Sequence, residues 1–410
     1  MTIHEDCKIN SFIVDMSYLK FNADYLFTGH EMLDNNFVLI TDETGVVVNI
    51  ISLSEAGENV QTHKGILSPA FINCHCHLEL SHLKNLIPEK TDLVDFVFKV
   101  VTQRHFDEEI IFEAIAKAED EMIKNGIIAV GDICNNTQTF LQKQKQRIAY
   151  YNFIETSGWL PAVAKTRFEK SKSFFDQFCQ LPSANNQLSM APHASYSVSD
   201  ELWQLIQPYF FQKTTTIHNQ ETSFEDEFFL TGKGDFLRMY SLMNIDNSFF
   251  KPTGKSSLQS YLHKLDDAKN VLFVHNTFIK KEDIQFVKNE WKNNPSPFFC
   301  ICANANLYIE NSLPPIELLI DQDLNIVLGT DSLASNHSLN ILDEIKTIIK
   351  HFPKISHTQL LQWATINGAK ALQMDNILGS FATGKKPGII LIENNDSENL
   401  TQQSSVKRIL

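Results

Sequence analysis

Short apolar runs alternate with amphipathic helical patterns along most of the chain. Eight of these runs read as strands: 65–75 (GILSPAFINCH), 127–133 (IIAVGDI), 149–156 (AYYNFIET), 188–194 (LSMAPHA), 214–220 (TTTIHNQ), 270–277 (NVLFVHNT), 298–306 (FFCICANAN) and 324–332 (LNIVLGTDS). They are nearly continuous in apolar character, which predicts burial on both faces, as in a parallel sheet covered by helices. Between the first two runs, Ile111, Ile115, Ala118 and Met122 fall on one helix face. Asp107 stands where that helix should be capped and Gly126 where it should stop. Ser197 with Asp200 reads as a capping box for the helix after the fourth strand. Eight strand–helix units predict a (β/α)8 TIM barrel of the α/β class, with its active site at the C-terminal strand ends.

The two ends of the chain do not fit that count. Residues 1–64 hold the short β-like runs FVLIT and VVVNIIS, and the tail from 377 holds GIILIE after Gly384 and Pro387. This predicts a small β-sandwich built from both termini (1–64 plus 377–410) beside a distorted barrel over 65–376; two separate extensions are the alternative. Residues 222–265 form a long excursion after the fifth strand, rich in Phe224, Phe228, Phe229 and Phe236. Such a run serves core packing or caps a ligand pocket.

Composition narrows the function. A 43% hydrophobic share and 30 Phe in 410 residues are ample for a large core. The net charge of -14 repels phosphates over much of the surface, which argues against a nucleic-acid partner and leaves a small-molecule substrate. No stretch approaches the ~20 apolar residues that span a bilayer. The segment MTIHEDCKINSF carries early acidic residues and no long apolar run, so it does not read as a secretory signal, and a cytoplasmic location is expected. Seven cysteines (Cys7, Cys74, Cys76, Cys134, Cys179, Cys300 and Cys302) are an odd number in a large chain, against a disulfide framework. Cys300-x-Cys302 lacks the C-x2-C spacing and matching second pair of a metal site, and reads as two small apolar residues on one strand face.

The chemistry gathers at the predicted strand ends. His75 and His77, at i and i+2 on a strand, point to the same side at the C-terminal end of the first strand. Imidazole suits zinc, iron and nickel. By itself an H-x-H is also what a core or surface pair looks like. However, the fifth strand ends in His218-Asn219-Gln220-Glu221, the sixth near His275, and the eighth in Gly329-Thr330-Asp331-Ser332, while the fourth carries His193. Histidine makes up only 14 residues, and five of them fall at predicted strand ends with a carboxylate opposite, as a metal site at a barrel mouth requires.

These motifs resemble those of the amidohydrolase superfamily. PAFINCHCHLELS is similar to its P-G-F-(I/V)-N-x-H-x-H opening, HNQE to its fifth-strand H-x-x-E, GTDS to its eighth-strand aspartate motif, and LLQWATINGAKAL to its A-T-x-N-G-A helix. The resemblance runs from about 65 to 390 and is strongest to the mononuclear aminohydrolase branch. That branch holds cytosine, guanine, S-adenosylhomocysteine and aminodeoxyfutalosine deaminases and triazine chlorohydrolases. It implies one divalent ion per chain, zinc first and iron second, held by His75, His77, His218 and Asp331. Two-metal relatives use a fourth-strand lysine, which LSMAPHA lacks. His193 resembles a fourth-strand histidine that contacts substrate, and Asn306 matches the asparagine of a seventh-strand C-P-x-S-N pattern. Ala303, Ala305 and Ala70 depart from the family's Pro, Ser and Gly. Enzymes of that branch are often dimers, so a homodimer is also implied; no interface is legible in the sequence.

Chemistry then suggests roles. Water on a catalytic zinc drops in pKa from 15.7 to about 7. Asp331 can take the proton released, and His275 can orient the water. Glu221, three residues past a ligand, can protonate a ring nitrogen and hand a proton to departing ammonia; its other reading is a surface carboxylate in the acidic run Glu221, Glu225, Asp226 and Glu227. Glu79 and Ser81 reach either the mouth, where Glu79 would bind substrate, or a supporting position at a helix start. The expected activity is hydrolytic deamination of an aminated heteroaromatic base or nucleoside-like compound, of adenosyl or aminodeoxyfutalosine type. Loss of chloride or an alkylamine from a triazine, or opening of a cyclic amide, is the hydrolytic alternative. A non-catalytic binding barrel is the alternative from another class, and the retained Glu221 and His275 speak against it.

Overall fold

The computed structural model describes residues 18–292, 295–393 and 399–410. MTIHEDCKINSF and Cys7 lie outside the described residues. In chain order the strands are β1 (Tyr18–Phe27), β2 (Met32–Asp34), β3 (Phe37–Asp42), β4 (Val47–Ser52), β5 (Gln61–Pro69), β6 (Phe71–Cys76), β7 (Ile127–Cys134), β8 (Ala149–Thr156), β9 (Asn186–Pro192), β10 (Thr214–Asn219), β11 (Asn270–His275), β12 (Ser296–Ile301), β13 (Asn325–Leu328), β14 (Ile389–Glu393) and β15 (Ser405–Arg408). The strands from the two ends of the chain form one seven-stranded sheet, ordered β15-β14-β5-β1-β3-β4 with β2 beside β1. It folds over a core of its own around Phe21, Leu39, Leu67, Phe381 and Leu391. β4 is tied to the segment before β14 where the Val47 N–H donates to the Lys385 carbonyl at 2.8 Å.

The run read as one strand over 65–75 is two strands on two sheets. β5 pairs with β1 and β14 in the end sheet, and β6 pairs with β7 in the barrel. The end sheet therefore reaches Pro69, past the expected boundary at residue 64. A continuous apolar run hides such a break, because both strands are buried.

β6 to β13 build the distorted (β/α)8 barrel as two parallel half-sheets, β6-β7-β8-β9 and β10-β11-β12-β13. β10 and β11 are buried at every residue, as parallel strands covered on both faces are. The halves meet through single bridges, Cys76 to Asp331 and Ala194 to His218, both at the C-terminal strand ends. There the Thr330 and Asp331 N–H groups both donate to the His75 carbonyl at 3.0 Å, and the His218 N–H donates to the His193 carbonyl at 2.9 Å. Deeper in, side chains replace the missing ladder: Ser189 Oγ donates to the Thr214 carbonyl at 2.7 Å and Thr215 Oγ1 to the Met190 carbonyl at 3.1 Å.

A bulge in β6 sets up one of these seams. The β6–β7 register shifts between Asn73 and Cys76. Gly131 lies under the shift, where a Cβ would come within 2.4 Å of the Cys74 carbonyl oxygen. The displaced segment turns the His75 carbonyl toward the chain after β13, and it is caught again at Leu78, whose N–H donates to Asp132 Oδ1 at 2.9 Å. Asp132 Oδ2 in turn accepts from Lys143 Nζ at 2.5 Å, with both side chains fully buried. Burial works against the charge on Lys143, but Asp132 outweighs it and raises the lysine pKa. The ammonium also lies 4.9 Å from the Tyr150 ring centre and 5.0 Å from that of Phe178.

The helix Glu108–Lys124 buries Ile111, Ile115, Ala118 and Met122, with Asp107 at its N-cap and Gly126 just beyond its end. Two expectations are corrected. Ser199, not Ser197, caps the helix Asp200–Ile206 by accepting from the Leu202 N–H, while Ser197 Oγ closes a tighter turn onto Ala194. The seventh strand stops at Ile301, and Ala303–Glu310 is a helix. The apolar run ends at Cys302, and the alanines that follow favour helix. Asn306 therefore lies on a helix. Among the described residues, the other six cysteines are free and no helix is long and apolar enough to cross a membrane.

Removing one partner of a buried ion pair strands the other. Lys143→Met should therefore destabilise the fold by about 3–5 kcal/mol in urea unfolding. The Asp132→Leu/Lys143→Met double variant should recover much of that loss; equal losses in both would place the effect elsewhere.

Candidate metal centre

Five side chains from four strand ends converge at the seams. His75 and His77 come from the end of β6, His218 from β10, His275 from the last residue of β11, and Asp331 from just past β13. The His75 ring centre lies 5.0 Å from that of His77, 4.9 Å from His218 and 5.9 Å from His275. Asp331 Oδ1 is 3.4 Å from His75 Nε2 and 3.3 Å from His77 Nε2. His77 Nε2 is 3.4 Å from His218 Nε2. One donor atom from each of His75, His218, His275 and Asp331 falls within 4.8 Å of the others. None of the five residues is more than 7% exposed.

The surrounding hydrogen bonds decide which ring nitrogens face inward. His218 Nδ1 donates to the His193 carbonyl at 2.7 Å, which leaves the Nε2 lone pair for the centre. His275 Nδ1 faces Asn306 Oδ1 at 3.5 Å, and its Nε2 lies 3.5 Å from Glu221 Oε1. Asn306 is held by its amide N–H on Thr277 Oγ1. The Ser335 hydroxyl donates to Asp331 Oδ2, so Oδ1 is the oxygen turned to the histidines. Both ring nitrogens of His75, and Nδ1 of His77, are buried without a hydrogen-bond partner. Buried donors or acceptors left unpaired cost about 1–3 kcal/mol each. A cation at the centre would take one lone pair from each ring that faces it, such as His75 Nε2, and imidazole nitrogens with a carboxylate oxygen are donors that suit a divalent ion such as zinc. The residues present therefore fit a single divalent ion.

The electrostatics favour metal-ready protonation states. Burial lowers the pKa of His77 and lowers that of His218 strongly, and it brings His275 down to about 4, so these rings are neutral at pH 7. Burial opposes the charge on Asp331, but the rings of His75, His77 and His275 outweigh it and hold the carboxyl well below its usual range. Glu221 goes the other way. Burial first, then the charges of Asp331, Glu310 and Glu225, push its carboxyl well above the usual range, toward the protonated form. Glu221 is 4% exposed, and this excludes the surface reading of the acidic run.

The remaining expected residues occupy distinct places. His193 sits beside the centre, its ring centre 4.6 Å from that of His218, and is partly open. Its Nδ1 is hydrogen-bonded to Glu155 Oε1. Burial disfavours a charged His193, but Glu155 outweighs this and raises its pKa. Glu79 is fully buried in the turn Leu78–Leu83; its Oε2 accepts from the Asn135 N–H at 3.0 Å, and its Oε1 is 3.4 Å from Arg104 Nη2. Burial pushes its carboxyl up to about 7. Asn306 lies behind His275. Both Glu79 and Asn306 are thus engaged by protein groups. Glu155 escaped the reading of the sequence. It ends the third candidate strand, a carboxylate at a barrel strand's C-terminal end, so the rule that singled out Asp331 would have found it.

Comparison with known proteins places this architecture. The amidohydrolase family profile matches residues 66–409. The chain belongs to the amidohydrolase family. This amidohydrolase is a hydrolase acting on carbon–nitrogen bonds other than peptide bonds. It is 27% identical over 353 residues to an adenosine deaminase of Helicobacter pylori, covering 84% of this chain and 82% of the relative. In structure it is similar to the Helicobacter pylori aminofutalosine deaminase solved with methylthio-coformycin (TM-score 0.79, 22% identity, 96% of this chain and 100% of the other). It is also similar to the atrazine chlorohydrolase of Arthrobacter aurescens solved with zinc (TM-score 0.71, 16% identity, 92% of this chain and 88% of the other). The likeness to both solved structures concerns the fold.

Elemental analysis of purified, reconstituted protein should give about one divalent ion per chain, by the ligand count above. His77→Ala should lose most of it. Two tightly held ions, or none, would contradict a single centre.

Proposed function

We propose that this amidohydrolase releases ammonia from an amino-substituted heteroaromatic ring, of adenine base or adenosyl type, using one divalent ion, with zinc the preferred metal. The observation that carries this reading is the buried Glu221 carboxyl 3.5 Å from His275 at the edge of the metal cluster. His75, His77, His218 and Asp331 would hold the ion. When bound, it would supply Lewis acidity that brings a water ligand's pKa from 15.7 to about 7.

The chain's own groups then have separate tasks. Asp331, beside the ion, would take up a proton as a water is activated. His275, neutral and anchored through Nδ1 on Asn306, offers Nε2 to orient that water. Glu221 gives its proton to a ring nitrogen. Addition at an aromatic carbon sacrifices conjugation, and protonating the adjacent nitrogen lowers that cost. Left as a carboxylate, Glu221 would then take the proton of the hydroxyl group added to the ring and hand it to the leaving amine, and the proton held by Asp331 would restore the acid. His193, held by Glu155, faces the bound ring. The deaminase relative supports this reading. The fold is shared with a chlorohydrolase, and ring protonation would assist either reaction, but only an amine needs a further proton to leave, so a group able to relay one gains a second task in loss of ammonia.

Metal-loaded enzyme assayed over adenine, adenosine and 5′-substituted adenosyl compounds should release ammonia from at least one. Glu221→Gln should lower that turnover by roughly 10²-fold or more while metal content stays unchanged. Halide release from a chlorotriazine, with no ammonia from any of these compounds, would overturn the proposal.

A further inference from the structure

An apolar cluster closes over the strand ends. It is assembled from residues that follow the site-bearing strands: Leu80 after β6, Trp159 after β8, Ala194 after β9, Phe228 and Phe236 after β10, and Ala334 after β13. The Phe-rich excursion thus supplies part of a cover for the centre. Three of the cluster's aromatic residues carry a polar tip. Trp159 spends its own, with Nε1 donating to Asn247 Oδ1 at 2.6 Å. Tyr240 does likewise, its hydroxyl donating to the Tyr196 carbonyl at 2.6 Å. Tyr196 does not. It is 2% exposed, and its hydroxyl is buried without a hydrogen-bond partner.

The ring of Tyr196 is firmly placed. Phe236 stacks on it at 4.0 Å between ring centres, and the His193 ring meets it edge-on at 6.2 Å. Tyr196 follows His193 by three residues, in the turn Ser195–Ser197. A phenylalanine would keep each of these ring contacts and remove a desolvated hydroxyl, so packing alone does not account for a tyrosine. Burial pushes the phenol well above its usual range. The group is therefore a donor at neutral pH, beside His193.

We propose that the Tyr196 hydroxyl is a substrate-binding group that donates a hydrogen bond to a nitrogen or oxygen acceptor of the amino-heteroaromatic ligand held between Glu221 and His193. This rests on the deaminase reading above. It makes Tyr196 a specificity-determining residue, because a ligand without an acceptor at that point leaves the hydroxyl unpaired under the cover.

The test compares wild-type holoenzyme with Tyr196→Phe. Each is assayed for ammonia release over the adenine and adenosyl panel and titrated calorimetrically with inosine as a product-like probe. The variant should keep its metal and melt at the same temperature or higher, since no internal hydrogen bond is lost. Its kcat/KM on the best substrate should fall about ten-fold, the size of one hydrogen bond to a ligand, with inosine binding weakened in parallel. A variant with kcat/KM and inosine affinity within two-fold of wild type overturns the role of Tyr196 alone. So does a clear drop in melting temperature, which would give the hydroxyl an internal partner. A wild type that neither deaminates the panel nor binds inosine overturns the deaminase reading and this inference with it.

Discussion

The lone pairs of four imidazoles and one carboxylate are gathered in one buried place. Such a gathering is unfavourable in itself, because stripped polar atoms in a low-dielectric interior cost free energy until something pairs with them. The surrounding architecture prevents these side chains from relaxing apart. Among the described residues, the backbone bridges between the strands of the two half-barrels lie at the strand ends that carry the site, so His75, Asp331 and His218 belong to the seams themselves. Separating the donors would mean opening the barrel.

That arrangement is kept by local compromises. His275, Gln220 and Asp331 adopt left-handed backbone conformations, with φ of +72°, +44° and +56°. Non-glycine residues in that region cost of order 1–3 kcal/mol each and persist where their surroundings over-determine them. Here the surroundings are polar and buried. Gln220 Nε2 donates to Asp226 Oδ1 at 3.0 Å and to Asp283 Oδ2 at 2.8 Å, and Glu225 Oε2 receives the Glu221 N–H at 3.3 Å. The acid Glu221 thus rests on a second buried carboxylate, which also helps to keep it protonated. The bulge at β6, the glycine beneath it and the Asp132–Lys143 pair play the same part for His75 and His77.

Much of this was legible in the sequence. The eight apolar runs mark the barrel strands because each is buried on both faces, and the strand-end rule led to the five donors and to Glu221. The misreadings have physical causes. The junction at Ala70 hides inside an unbroken apolar run, so β5 and β6 read as one strand. The change from strand to helix after Cys302 is silent in hydrophobicity, because Ala303 and Ala305 suit either state. Tautomers and protonation states depend on contacts distant in the chain, such as His218 Nδ1 on the His193 carbonyl. Tyr196 gains its meaning only beside His193.

X-ray absorption at the metal edge of zinc-loaded protein tests the central claim most directly, because it reads the donors without reference to any substrate. Three nitrogen scatterers at about 2.0–2.1 Å with light oxygen scatterers, and no heavier neighbour, are the predicted first shell. A sulfur shell at about 2.3 Å would move the ion to the buried cysteines, and a second metal at about 3.5–4 Å would replace the single centre with a pair. Either result would contradict the account.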